Sequence, residues 1–193
     1  MRFAALLLAS VWAFACSLAY PCPKSVRLYL GANLVYTAGT QPFLYWCGET
    51  SLAYATAYYG FASLHFLGAL NVARVVFSRR WHLAVAILSA LFVVRTAYLG
   101  FSAPIHAYQY FYLIEGGALT LAGTIVGYAA ARSKAVGILL SLSFVWIALA
   151  VFRLGFALRL TDETWLKLNH VLPTLFLCAG LGWIGILLRE QKA

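Results

Sequence analysis

The stretch IHAYQYFYLIEGGALTLAGTIVGYAAAR, residues 105–132, decides the fold class of this chain. It is an apolar run longer than the ~20 residues that a helix needs to cross a hydrocarbon core of ~30 Å. Glu115 stands inside the run, where it cannot reach water from a loop. A charge at such a depth costs ~2.5–3.5 kcal/mol on insertion scales and usually faces the interior of a helix bundle. The stretch therefore predicts a membrane span with a polar interior face.

The composition of the whole chain agrees with a lipid environment. Its 193 residues are 64% hydrophobic and 10% charged, with a mean hydropathy of +0.86, whereas a soluble domain carries about 25% charged residues. The formal net charge of +9 does not indicate a nucleic-acid partner, because the basic residues lie at the ends of apolar runs, as membrane insertion produces. We therefore expect one transmembrane domain over residues 1–193, with the lipid bilayer as its partner.

Further apolar runs predict an all-α, multi-pass bundle with six transmembrane spans. The predicted spans cover about residues 3–20, 51–77, 81–103, 105–132, 135–160 and 164–188. The first run also has the pattern of a signal peptide that ends in Ser17-Leu18-Ala19. A retained span is the favoured interpretation, and cleavage would leave five spans.

Residues 21–50 are expected to form an extracytoplasmic loop. Pro21, Pro23 and Pro42 interrupt this segment, and proline breaks helices because it lacks an N–H donor. The stretch 28–46 is apolar enough to lie on the membrane surface but is too interrupted to favour a span. A seventh span there is the alternative interpretation and would move the N-terminus outside.

The basic residues orient the six-span interpretation. Arg79 and Arg80, Arg132 and Lys134, and Arg189 mark three cytoplasmic ends by the positive-inside rule. Both termini are then cytoplasmic, and the expected location is a bacterial inner membrane.

Two of the four cysteines flank the expected loop. Cys22 and Cys47 would face an oxidising compartment, where a disulfide between them persists. Closing a loop of that size contributes roughly 3 kcal/mol in the chain-entropy model. The cysteines have no CxxC or metal-ligand spacing, so the sequence predicts a disulfide and no metal site.

Polar residues inside the predicted spans define a candidate ligand-binding site. They are His65, Arg95, Tyr108, Tyr112, Glu115, Arg153, Asn169 and His170. At a rise of about 1.5 Å per residue, Arg95 and Glu115 lie about 4–5 Å outward of the midplane, and Arg153 lies about 9 Å outward. We expect an Arg–Glu network at this depth, because a guanidinium binds a carboxylate through two hydrogen bonds. The network is either a clamp between helices or a ligand site, and the sequence leaves both open.

His65 stands near the midplane and is the histidine best placed to hold a cofactor. A haem held by two histidines is disfavoured, because His170 differs from His65 by about 9 Å in depth. A hydrogen-bonded core histidine is the plainer interpretation, and a haem or pigment held by His65 alone stays an alternative.

Three functions follow from these residues. The leading interpretation is a membrane protein, an accessory subunit of a larger membrane complex, that binds a polar-headed amphiphile of lipid or quinone type in its outer half. Arg95 and Arg153 would supply positive charge, Glu115 would orient Arg95, and His170 with the tyrosines would hydrogen-bond the ligand. The alternatives are a small transporter or proton-coupled carrier that uses Glu115, and a membrane-embedded redox or acid–base enzyme.

Overall fold

The computed structural model describes residues 2–48, 51–76, 104–130, 136–157 and 163–190. Within these ranges the chain is helical apart from short connections and contains no strand. The helices are α1 (Arg2–Ala19), α2 (Lys24–Cys47), α3 (Leu52–Val76), α4 (Pro104–Ala130), α5 (Val136–Ala157) and α6 (Glu163–Glu190). All helices except α2 coincide within a few residues with predicted spans. The predicted span at 81–103 lies outside the described residues.

Only one helix in the described part of the chain is long and apolar enough to cross a membrane by length and composition, over Val171–Glu190. Shorter apolar segments lie in α1, over Phe3–Ala19, and in α5, over Gly137–Val151. By that criterion the described residues give weak support for membrane association through one helix, and the six predicted spans are not supported.

The expectation of an extracytoplasmic loop over residues 21–50 is wrong, because most of this segment is α2. Pro21 and Pro23 precede the helix, where a missing N–H breaks no helical bond, and the Pro23 carbonyl accepts the N–H of Arg27 at 3.0 Å. Pro42 lies near the end of α2 and removes a single bond. Packing of α2 against both α1 and α3 keeps the helix intact through that position.

The predicted disulfide between Cys22 and Cys47 is also wrong, and all four cysteines are free thiols. Cys22 precedes α2 and Cys47 is its last residue, so a helix of 24 residues separates them. At about 1.5 Å per residue this is a distance of about 36 Å, whereas a disulfide requires Cα atoms within about 7 Å of each other.

A short turn ends α2 and begins α3. Gly48 has φ 78°, the left-handed conformation that glycine commonly supplies at the end of a helix. Ser51 caps α3, since its Oγ accepts the N–H of Tyr54 at 3.1 Å and donates to the Gly48 carbonyl at 2.9 Å. The turn makes α2 and α3 antiparallel neighbours.

The described helices form a ring in which each helix packs against the next described helix. α6 closes the ring by packing against α1. At the centre, Tyr29 of α2 meets Trp146 of α5 edge-on, with ring centroids 5.1 Å apart. Buried apolar residues from all six helices form one connected core.

Glycines allow close helix contacts at two interfaces. A Cβ added to Gly68 would lie 3.3 Å from the Cα of Tyr29, so α3 approaches the α2 backbone there. On α4, Gly123 and Gly127 are spaced as a small-xxx-small pair. Both face Ser143 of α5, whose hydroxyl donates to the Gly123 carbonyl at 2.6 Å.

Candidate functional site

His65 and Tyr29 form a hydrogen-bonded pair in the interior of the bundle. They meet because α2 and α3 are antiparallel and because Gly68, one turn beyond His65, admits the backbone of Tyr29. Tyr29 is fully buried and His65 is 3% exposed. The Tyr29 hydroxyl lies 3.1 Å from Nε2 of His65. Since water is excluded from both groups, removing one partner takes a hydrogen bond from a buried polar atom of the other, and water cannot replace it.

Further aromatic rings extend this pair into an aromatic column. The column consists of Tyr54, Tyr58, Tyr36, His65, Tyr29 and Trp146, with successive ring centroids 5.1–6.2 Å apart. These separations fall within the 4.5–7 Å range at which aromatic pairs attract each other, by about 0.5–1.5 kcal/mol each. Tyr36 stacks on the His65 ring at an interplanar angle of 26°. The column fixes the position of the imidazole from both sides.

At Nε2, this arrangement favours a hydrogen-bonded core histidine over the haem or pigment considered for His65. An axial ligand needs a ring nitrogen directed into open space, whereas Nε2 of His65 faces the Tyr29 hydroxyl. Tyr36 and Tyr29 also cover the imidazole ring. The geometry therefore favours the hydrogen-bonded core histidine. Among the described residues, no group of three or more His, Cys, Asp or Glu side chains is arranged to hold a metal.

Glu115 is buried in α4, with 2% of its surface exposed. The neighbouring Gly116 packs against α5, since a Cβ added there would lie 3.3 Å from the Ala150 carbonyl and 2.8 Å from Leu154. This register puts backbone position 153 of α5, held by Arg153, near the height of Glu115. The burial of Glu115 agrees with the sequence, and its pairing with an arginine stays a prediction.

The other predicted site residues have side chains outside the described part of the structure. Arg95 lies wholly outside it. Tyr108 and Tyr112 belong to α4, Arg153 to α5, and Asn169 and His170 to α6. Their grouping around Glu115 stays a prediction.

Two polar contacts between α1 and α2 were not expected from the sequence. The amide of Asn33 donates to the Ser10 hydroxyl at 3.1 Å, with both residues buried. Nε of Arg27 donates to the Ser17 carbonyl at 2.8 Å. These bonds link α1 to α2 at two heights of the bundle.

The residues that α2 contributes to the interior were missed because prolines made the segment resemble a loop. A signal was present in the spacing of its buried positions. Val26, Tyr29, Asn33, Thr37 and Thr40 follow one another at intervals of three or four and form one buried face, as the helical period requires.

An open apolar groove lies on the outside of α2 and α3, with a volume of about 1020 Å³. Its lining consists of Phe43, Ala53, Thr56, Ala57, Gly60, Phe61 and Leu64. Of these described lining residues, Thr56 alone has a polar side chain. Neither His65 nor Glu115 lines the groove, so it is separate from the site predicted from the sequence.

Two glycines shape this groove in different ways. A Cβ on Gly39 would lie 2.6 Å from the Phe61 ring, so the missing side chain lets Phe61 rest on the α2 backbone. A Cβ on Gly60 would meet nothing within 4 Å, because this position opens into the groove. Gly39 therefore allows Phe61, one wall of the groove, to pack against α2, and the missing side chain of Gly60 keeps the groove open.

The class defined by these features is an all-helical bundle with a mostly apolar core, an aromatic column within that core and an apolar exterior groove. Comparison with models of protein families, with curated proteins and with solved structures finds no match to the chain. The function must therefore be inferred from the residues themselves.

Proposed function

We propose that the chain is a multi-pass membrane protein that binds a polar-headed amphiphile of lipid or quinone type. The observation that supports amphiphile binding is the exterior groove. Its described lining is almost entirely apolar, and it opens on the outer surface of the bundle. Ligand pockets are concave, mostly apolar and about 300–1,000 Å³ in volume, and the open groove, at about 1020 Å³, is slightly above this range.

The distribution of side chains supports the membrane environment. Large apolar side chains are exposed at helical spacing on α5, at Leu140, Phe144, Ile147 and Val151. Polar side chains are buried instead, among them Asn33, His65 and Glu115. Contiguous exposed apolar surface marks a face that meets lipid or another protein, and intramembrane polar groups face the bundle interior.

The distribution of charge supports an orientation. Trp12 of α1 packs against Gly185 of α6, so the C-terminal ends of both helices lie at the same end of the bundle. Arg27 follows the end of α1, and Arg189 lies near the end of α6. At the opposite end Arg2 begins α1 and Glu163 begins α6, so the charges of these two residues cancel there. By the positive-inside rule the end with the arginines is cytoplasmic.

Counting α2 as a span changes the topology expected from the sequence. With α2 and the predicted span at 81–103, the chain crosses the membrane seven times. The C-terminus stays cytoplasmic, the N-terminus moves outside, and Cys22 and Cys47 lie on opposite sides. The expected inner-membrane location and the role as an accessory subunit of a larger complex are part of this proposal.

A pair of phenylalanine variants tests amphiphile binding. Gly60→Phe puts a ring at a groove position where an added Cβ meets nothing within 4 Å. Gly182→Phe is the matched control, because a Cβ there also meets nothing within 4 Å and Gly182 is not among the groove's lining residues. Native mass spectrometry of the purified full chain should show lipid or quinone adducts on the wild type and on Gly182→Phe. Gly60→Phe should lose them. Identical adducts on all three proteins would refute binding in the groove.

A proton-coupled carrier is a second candidate, favoured by the buried carboxylate of Glu115. Ionisable groups inside membrane bundles often belong to proton or ion pathways. Proteoliposomes that contain a pH-sensitive dye should then acidify under an imposed membrane potential, and Glu115→Gln should abolish the flux. Equal flux in wild type, Glu115→Gln and empty liposomes would exclude this candidate.

A further inference from the structure

The geometry points to a specific occupant of the groove, one acyl chain of a phospholipid from the leaflet opposite the basic end of the bundle. This inference rests on the proposed function and names the ligand class and the leaflet. The groove would then be a lipid site built into the α2–α3 pair, distinct from the polar site predicted around Glu115.

The length of the groove fits one leaflet. Its lining on α3 runs from Ala53 to Leu64, which at about 1.5 Å per residue is a height of about 17 Å. Half of a hydrocarbon core of about 30 Å is about 15 Å. The groove therefore begins near the outer end of α3 and ends close to mid-height, where an acyl chain of that leaflet also ends.

The position of the groove selects the leaflet. Ala53 lies next to the turn between α2 and α3, at the end of α2 opposite Lys24 and Arg27. The basic end is cytoplasmic under the proposed topology. The groove thus occupies the extracytoplasmic half of the bundle.

The lining suits a chain and not a headgroup. Ala57 and Gly60 leave space along α3, and Phe43, Phe61 and Leu64 form apolar walls. None of the described lining residues carries a charge. Because lipid tails are as apolar as these side chains, a bound chain is selected by close van der Waals contact with a fitted surface.

The headgroup has a place beside the outer end of the groove. Tyr45 and Trp46 lie in the last turn of α2 and are 86% and 78% exposed. Exposed Tyr and Trp side chains at helix ends mark the headgroup level of a bilayer. A phospholipid whose chain fills the groove therefore puts its headgroup next to these two rings.

Photo-crosslinking in phosphatidylcholine liposomes tests the occupant. The full chain is reconstituted with a trace of phosphatidylcholine that carries a diazirine either beside the headgroup or at the end of the acyl chain. Crosslinked residues are mapped by peptide mass spectrometry. We expect labels near the headgroup to mark the Ala53 end and labels at the chain end to mark Leu64. The exposed stripe of α5, residues 140–151, reports ordinary lipid contact as an internal reference.

The two phenylalanine variants separate site binding from general exposure. Gly60→Phe should lower labelling of residues 53–64 by roughly tenfold, the equivalent of about 1.4 kcal/mol, and leave the α5 stripe unchanged. Gly182→Phe should change neither. The reverse order of labels along α3 would overturn the assignment of the leaflet.

A competing quinone distinguishes the two sources of an apolar chain. The outcome that separates the two proposals has two parts: added ubiquinone removes the phospholipid label from residues 53–64, and binding of the ubiquinone is lost in Gly60→Phe. In that case the phospholipid inference is wrong while the proposed function stands. If residues 53–64 are labelled no more than the α5 stripe and Gly60→Phe changes nothing, both fail.

Discussion

Replacing Tyr29 with phenylalanine should destabilise the bundle by removing one hydroxyl from its centre. The substitution keeps the ring against Trp146 and removes only the group that lies 3.1 Å from Nε2 of His65. Leaving a buried polar group without its partner costs about 1–3 kcal/mol. Hydrogen bonds between membrane helices average about 0.6 kcal/mol and reach about 1.7. Because both side chains are almost completely buried, we expect a loss of about 1–2 kcal/mol in the free energy of unfolding.

Thermal unfolding of the purified protein in detergent measures this loss. For a chain of this size, each kcal/mol shifts the Tm by about 2–4 °C, so Tyr29→Phe should lower it by about 2–8 °C. Tyr45→Phe makes the same chemical change on a tyrosine that is 86% exposed. That control should stay within about 0.5 kcal/mol of the wild type.

A double-mutant cycle with His65→Leu isolates the pair. If the bond stabilises the fold, the double variant should cost less than the sum of the single variants, because each single variant already removes the same bond. Equal melting temperatures for Tyr29→Phe and Tyr45→Phe, together with additive costs in the cycle, would refute the energetic role of the pair.

Three further experiments test other parts of the structure. Trp146→Ala removes a fully buried ring and should cost about 3–5 kcal/mol, seen as a lower Tm and loss of a single peak on size-exclusion chromatography. Gly123→Val should weaken the α4–α5 contact and lower the Tm, because a Cβ there lies 3.2 Å from an α5 carbonyl. Gly117→Val is the control: a Cβ at Gly117 meets nothing within 4 Å, and this variant should melt close to the wild type. In intact cells a membrane-impermeant maleimide should label Cys47 and not Cys22. Labelling of both cysteines from outside would contradict the topology. In detergent, the reaction of Cys22 with the maleimide should be slow at neutral pH and should accelerate as the pH rises, because burial raises the pKa of its thiol.

Most helices could be predicted from the sequence because each is a long apolar run, and α2 was the exception. Residues 21–50 were predicted to be a loop because three prolines and several turn residues were given more weight than the apolar character of 28–46. Proline breaks a helix only in its interior, and Pro21 and Pro23 lie before α2 begins. Pro42 does lie inside α2, but near its end, where it removes a single bond and the helix continues to Cys47. The disulfide prediction failed for the same reason, since Cys22 and Cys47 approach each other only if the segment between them is a loop.

The interior could be predicted only in part. Apolar flanks on both sides indicate that His65 and Glu115 are buried, and both are. The partner of His65 depends on how α2 and α3 rotate about their axes, which Gly68 determines by admitting Tyr29. The spacing of residues within α3 alone cannot predict this rotation. The groove is likewise a property of two helices and cannot be derived from either one.

α3 contributes residues both to the aromatic column and to the groove. One side of α3 buries Tyr58 and His65, while Gly60 on another side opens outward. Phe61 lies between the two sides and rests on Gly39. Under the proposed function, a chain bound in the groove stabilises the folded α2–α3 pair, because any ligand that binds only the folded state adds to its stability.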